Sequence, residues 1–305
     1  MKNIFLTGGT GLLGLNLYFY FKNKYKIYIN IHKKKIPEIN FVKVNLNKVN
    51  DVRKFLKKKK IDYLIHCAAI TNIEECEKNK KKAKKINITL AKNLSIICND
   101  TGTKFIFIST DHLFDGKKKS YKETDNVTPL NYYAKTKAEA EKEILKNNNS
   151  SLIIRTNFFG FGPHYRNSFS DWIIGSLKKG NKINVFNDVY FNPINIIYLL
   201  KFLFKILKNN IVGIVNITSD KKLSKYQFAL RLAKKFKLNS NLIIPTSFNK
   251  IRKKNKLVTR PKNMTLSNKK LKIILKIKYI DIDKMINSLY LSRLSKTILS
   301  IKKIK

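Results

Sequence analysis

The first half of the chain alternates short runs of apolar, β-branched and aromatic residues with longer segments of helical periodicity. NIFLTG (residues 3 to 8), KIYINI (26 to 31), FVKVNL (41 to 46), DYLIHCA (62 to 68), KFIFIST (104 to 110) and SLIIRT (151 to 156) read as strands, rich in Ile, Phe, Val and Tyr and bounded by turn residues. Their near-continuous apolarity predicts burial on both faces, as in a parallel sheet covered by helices. Between them, the segments around 12 to 22, 49 to 57, 80 to 99 and 132 to 146 carry apolar residues at helical intervals. This βαβαβ order predicts an α/β fold with a Rossmann-like, doubly wound parallel sheet.

After residue 156 the alternation loosens, and Gly160, Gly162 and Pro163 mark a loop. The expected organisation is a dinucleotide-binding domain over 1 to 156, with a later contribution from about 190 to 218, and a smaller lobe mainly over 157 to 305. Within the later part, IVGIVNIT (211 to 218) reads as another strand, followed by a helix from Ser224, a good N-cap. The terminal SLYLSRLSKTILSIKKIK is amphipathic and is expected to pack on the domain rather than lie on a membrane.

Composition narrows the function classes. The 305 residues carry 43% hydrophobic side chains, enough for a sizeable core. A formal net charge of +45 first suggests a polyanion partner. Yet of the 64 basic residues only Arg53, Arg155, Arg166, Arg231, Arg252, Arg260 and Arg293 are arginine, the side chain that phosphate and base readers favour. The lysines are spread along the whole chain beside abundant Asn and Ile, a pattern expected of A/T-rich coding, so no nucleic-acid partner is expected. Cys67, Cys76 and Cys98 form no CxxC pair, which predicts neither a disulfide framework nor a metal site. The apolar run in MKNIFLTGG is too short for a signal peptide, and INIIYLLKFLFKI (194 to 206) is interrupted by lysines, so a cytoplasmic protein without membrane insertion is expected.

The first strand leads into TGGTGLLG, where Gly8, Gly11 and Gly14 stand as GxxGxxG before the first helix. That context suits a dinucleotide: small residues permit the turn and the close approach of a pyrophosphate, and the helix N-terminus offers free N–H groups. The second strand ends INIHKKKI, without the acidic residue that often meets the ribose of NAD. His32, Lys33 and Lys34 are instead suited to a 2′-phosphate, favouring NADP, with NAD the alternative.

Tyr133 and Lys137 form a YxxxK pair, but 14 tyrosines in so lysine-rich a chain predict about two or three such pairs by chance. Tyr18 with Lys22 and Tyr20 with Lys24 are two decoys. Position separates the third pair: it opens the helix after the strand that ends in Ser109 and Thr110, where ligands of open α/β sheets bind. Spacing of four places Tyr133 and Lys137 on one helix face. A nearby ammonium is expected to lower the phenol's pKa and suit it to acid-base work, with the Thr110 hydroxyl holding the reacting oxygen. Tyr132 is expected to face elsewhere and pack.

In this order, GGTGLLG, HCAAITNIEECEKN, ISTDHLFDG, YKETDNVTPLNYYAKTKAEAE, LIIRTNFFG and RPKNMTLSN resemble the extended short-chain dehydrogenase/reductase superfamily, in its branch of dTDP-4-dehydrorhamnose reductase and related sugar-nucleotide reductases. The resemblance implies an NAD(P)-dependent oxidoreductase of polysaccharide biosynthesis acting on a 4-keto sugar nucleotide, with the C-terminal lobe binding substrate and a homodimer permitted. It implies Tyr133 as proton donor, Lys137 as its partner on the nicotinamide ribose and Thr110 as the orienting hydroxyl. Gly8, Gly11, Leu12 and Leu13 would lie under the pyrophosphate, with Gly14 completing the turn. Ala68, Ala69 and Thr71 would line the adenosine and nicotinamide ribose side, Ser109 would sit near the nicotinamide, and Asn157 would lie at the nicotinamide or substrate edge.

His112 stands where the family usually has Tyr, which leaves the sugar open and suggests a substrate-edge role. Asn45 replaces a common Asp near the adenine. Arg260, in VTRPKN, is expected to contact substrate, Arg166 either substrate or solvent, and Arg155 an acid of the core. Two rivals share these motifs: an epimerase of the superfamily, and the regulatory beta subunit of methionine adenosyltransferase, which resembles the same branch. A dehydratase would normally place an acid pair after the central Thr, where this chain has Asp111 and His112.

Overall fold

The structure is a computed structural model that describes residues 1–31, 36, 39, 41–163 and 165–291. Strands β1 (Asn3–Thr7), β2 (Lys26–Asn30), β3 (Phe41–Val42), β4 (Tyr63–His66), β5 (Lys104–Ile108) and β6 (Leu152–Thr156), joined by the later strand Gly213–Ile217, form a seven-stranded parallel sheet. Its order runs from Gly213–Ile217 through β6, β5, β4, β1 and β2 to β3. The chain therefore starts in the middle, builds outward to β3, and crosses back to β4 on the other side of β1, which makes the β1/β4 boundary the topological switch point.

Alternation along each strand explains the double burial. Ile4, Leu6, Ile65, Ile106 and Ile154 face a core shared with helix α1 (Leu12–Phe21) and the helix Ile196–Lys208. Phe5, Leu64, Phe105, Phe107 and Ile153 face the other side, against helices α2 (Val49–Lys58), α5 (Leu90–Asp100) and α6 (Tyr132–Asn147). Side chains of period two thus enter two separate apolar layers.

One expectation needs correction, and another gains detail. The strand read over 41 to 46 pairs regularly only at Phe41 and Val42; beyond them, Val44 N–H donates to the Asn30 side chain at 2.8 Å and the edge strand leaves the sheet. The helix read over 80 to 99 is present, running from Lys80 to Asp100 with one π-turn inside it. A short helix α3 (Ile73–Lys78) precedes α4 (Lys80–Lys84), Asn79 caps the latter by accepting from Lys82 N, and a π-turn over Lys85–Thr89 leads into α5.

Beyond β6, β7 (Phe158–Phe159) pairs with Ile194–Asn195, and α7 (Phe169–Lys178) starts at a capping box between Ser168 and Asp171. The helix Lys225–Lys235 starts at Ser224, whose hydroxyl accepts from Gln227 N at 3.0 Å, as its N-cap character predicts. Among the described residues no helix is long and apolar enough to cross a membrane. The terminal segment from 292 onward lies outside the described residues.

Candidate active site

At the carboxyl ends of β1, β4 and β5 lies a cavity of about 370 Å³. One wall is the glycine turn. Gly8 has φ +68°, and a Cβ there would stand 2.6 Å from Ala68 N; a Cβ on Gly14 would stand 2.4 Å from Gly8 O. Glycine is therefore required by the packing of the turn on the β4 loop and of α1 on the turn. The first helical bond of α1 runs from Leu15 N to Gly11 O at 3.0 Å, so the N–H groups of Leu12, Leu13 and Gly14 precede it and are available to an anion. No acidic residue stands in that first turn to compete.

The opposite wall carries the acid-base chemistry. Asn131 caps α6 by accepting from Ala134 N at 2.9 Å, and its own amide donates to Thr259 O at 3.0 Å, which ties the helix start to the C-terminal elements. Tyr133 and Lys137 both point into the cavity with Thr110 and Ser109. Tyr133 is only 8% exposed and burial pushes its phenol up to about 12, opposed by the adjacent Thr110 hydroxyl. Lys137 is 2% exposed; burial lowers it to about 7, against the attraction of Glu141. Its ammonium donates to Ile108 O at 2.6 Å and lies 3.7 Å from the centroid of the Phe107 ring. Desolvation of the phenolate sets this direction, and the lowering expected from the lysine is not found.

Beside this pair, Thr110 donates to Asp111 at 3.3 Å, and Asn157 donates to the other Asp111 oxygen at 2.7 Å. Burial raises Asp111 and lowers Lys225, at the first turn of the helix Lys225–Lys235, and the opposite charge of each partly offsets the shift of the other. His112 packs edge-on to Tyr133, with ring centroids 6.0 Å apart. Burial lowers its imidazole to about 3, helped by the Lys225 and Arg260 charges, so the ring is neutral. Its Nδ1 and the Ser109 hydroxyl are buried with no hydrogen-bond partner among the described residues.

The cavity brings together Gly8, Gly11, Leu12, Leu13, Gly14, Ala69, Thr71, Ser109, Thr110, His112, Tyr133, Lys137, Asn157 and Arg166. Ala68 does not line it; its backbone supports Gly8 from behind. Arg260 also stands apart, paired with Glu74 of α3 at 2.5 Å. His32 and Lys33 lie outside the described residues. Tyr132 does not line the cavity; it packs on the edge of the cluster of Ile73, Cys76, Ala83 and Tyr133, with the Lys80 ammonium 5.6 Å from its ring centroid, and Arg155 forms a buried pair with Glu141.

Sequence reading missed Asp111, Lys225 and Asn87. Asn87, in the π-turn, accepts from Ile70 N at 2.9 Å and donates to Ile70 O and Thr136 Oγ1, both at 3.0 Å. It fastens the loop between Ala69 and Thr71 to α6 at Thr136, the residue before Lys137. The available signal was an amide inside an otherwise helical run. Among the described residues no group of His, Cys, Asp and Glu gathers as a metal site.

A glycine turn at a switch point and a Thr–Tyr–Lys set on the same cavity place the chain among the extended short-chain dehydrogenases/reductases. Its family is that of the RmlD substrate binding domain, matched over residues 1–291. It is 28% identical over 196 residues to the probable low-salt glycan biosynthesis reductase Agl14 of Haloferax volcanii, covering 62% of this chain and 65% of that protein. It is 33% identical over 156 residues to methionine adenosyltransferase 2 subunit beta of Bos taurus, covering 50% of this chain and 46% of that one. The chain thus spans less than two thirds of the length of each. A crystal structure of dTDP-4-dehydrorhamnose reductase from Bacillus anthracis in complex with NADP has the same fold, with a TM-score of 0.85 at 23% identity over 95% of this chain and 99% of that chain.

Proposed function

We propose that this protein is an NADPH-dependent reductase of a 4-keto-6-deoxy sugar nucleotide, similar to dTDP-4-dehydrorhamnose reductase. The observation that carries this reading is the convergence of Thr110, Tyr133 and Lys137 on the cavity that the glycine turn opens into. The turn fits a dinucleotide: its glycines leave the N-terminus of α1 clear, and the orphaned Ser109 hydroxyl offers a buried polar contact further in.

The chemistry supplied by a reduced nicotinamide bound there is a hydride for the sugar carbonyl carbon. Tyr133 supplies the proton for the carbonyl oxygen, and its elevated pKa keeps it protonated until that oxygen gains charge. Thr110 donates a hydrogen bond to the same oxygen and orients it. Lys137 bonds the nicotinamide ribose and limits the cost of the phenolate left on Tyr133. Gly8, Gly11, Leu12, Leu13 and Gly14 hold the diphosphate of the dinucleotide, and Ala69, Thr71 and Asn157 line its sugar and nicotinamide edges. His112, neutral and with Nδ1 unpartnered, accepts from a sugar hydroxyl, while Arg260 and the elements after residue 157 receive the nucleotide.

The test is NADPH oxidation, followed by nicotinamide absorbance, with a panel of 4-keto sugar nucleotides. The second reading is a regulatory NADP-binding subunit, favoured by the identity to methionine adenosyltransferase 2 subunit beta. Tight NADPH binding with no turnover of any panel member supports that one.

A further inference from the structure

Arg166 is exposed, and its sequence position leaves it between substrate and solvent. We infer that Arg166 is instead a clamp on the diphosphate of the dinucleotide, held over the glycine turn by the loop residues Phe161, Gly162 and Tyr165. The inference rests on the cofactor part of the reading above and is independent of which sugar is reduced.

The loop is fastened to the phosphate-binding wall itself. Tyr165 donates its hydroxyl to Thr10 O at 3.0 Å, inside the glycine turn, and Asn16 of α1 donates to Phe161 O at 3.1 Å. Gly162 sits so close that a Cβ would lie 3.1 Å from Leu12 Cδ1. A bond from Arg166 N to Pro163 O at 2.7 Å then turns the chain back toward the cleft. Across it, the guanidinium donates to Thr71 Oγ1 at 3.3 Å, so Arg166 spans the two loops that flank the switch point.

Charge points the same way. TGGTGLLG contains no cation, although a diphosphate brings two negative charges to it. Among the residues lining the cavity, Lys137 and Arg166 are the Lys and Arg side chains, and Lys137, bonded to Ile108 O, belongs to the catalytic end. Arg53, Arg155, Arg231 and Arg260 each pair with a carboxylate, whereas among the described residues no carboxylate pairs with Arg166. Among the described residues its side-chain bond is a long one to a neutral hydroxyl, which a phosphate oxygen readily replaces.

Equilibrium titration with NADPH, by calorimetry, tests this without turnover. R166A is expected to weaken NADPH on the order of 10- to 100-fold, to flatten the dependence of affinity on salt, and to leave the thermal melting of the ligand-free protein unchanged. R166K should recover part of the loss, because a point charge replaces the fork. Adenosine 2′-monophosphate, which lacks the diphosphate, should bind wild type and R166A equally. NADPH affinity unchanged in R166A, or an equal loss for adenosine 2′-monophosphate, overturns the assignment. So does a rise in sugar-nucleotide KM with NADPH affinity intact. Failure of the wild type to bind NADPH would overturn the cofactor reading as well, whereas tight binding without sugar turnover would overturn only the substrate reading.

Discussion

The Lys137 ammonium donates to the carbonyl oxygen of Ile108 at 2.6 Å, joining the middle of α6 to the last residue of β5. The bond fixes the lysine one turn from Tyr133, in a pocket where burial lowers its pKa from 10.5 to about 7. Between those values the folded protein binds fewer protons at this site than the unfolded chain, so this contribution makes stability rise with pH from about 7 to about 10. Urea melts of wild type and K137M at pH 7, 8 and 9 should diverge in favour of wild type, by at most about 1.4 kcal/mol per pH unit. Parallel curves would show that Lys137 titrates normally.

Arg155 and Glu141 are each only 4% exposed at the side chain and meet at 2.7 Å, with Arg155 Nε also 3.1 Å from both carboxylate oxygens. Removing one partner leaves the other charge buried. R155A should therefore lose roughly 3–5 kcal/mol of stability in denaturant melts, while R155M combined with E141L should lose much less.

Asn87 has three hydrogen bonds, to Ile70 and Thr136. In N87A the Ile70 groups lose a buried partner, which should cost about 1–3 kcal/mol of stability. Because the same side chain positions the Ala69–Thr71 loop, NADPH affinity should fall as well. A stability loss with unchanged NADPH affinity would confine Asn87 to a structural role.

Arg260 is held by Glu74, while its Nε is buried without a partner. R260A should raise the sugar-nucleotide KM roughly tenfold while leaving NADPH affinity within about twofold, as expected for loss of a charge-assisted contact to one ligand only. A loss confined to NADPH affinity would move Arg260 to the cofactor.

The sheet was legible because buried parallel strands write themselves as unbroken apolar runs, and Tyr133 stood out from its two decoys because its place after β5 is a topological property. What stayed hidden depends on contacts distant in sequence. Asn87 matters only because a π-turn aims it at Ile70 and Thr136, and nothing in KKINITLAKN announces that turn. Lys225 is one lysine among many until the helix start at Ser224 brings it near Asp111. The direction of the Tyr133 shift was misread because desolvation is set by surrounding packing, while the sequence displays only the neighbouring charge.

Tyr132 and Tyr133 are adjacent and share one apolar cluster, yet only Tyr133 lines the cavity, with its phenol beside the Thr110 hydroxyl. The decisive measurement is steady-state NADPH oxidation with a dTDP-4-keto-6-deoxy sugar by wild type, Y133F and Y132F. The predicted result is turnover by wild type and Y132F, and a loss of at least about a hundredfold in kcat for Y133F with NADPH affinity nearly intact. Turnover by Y133F comparable to wild type would contradict the assignment of Tyr133 as the proton donor.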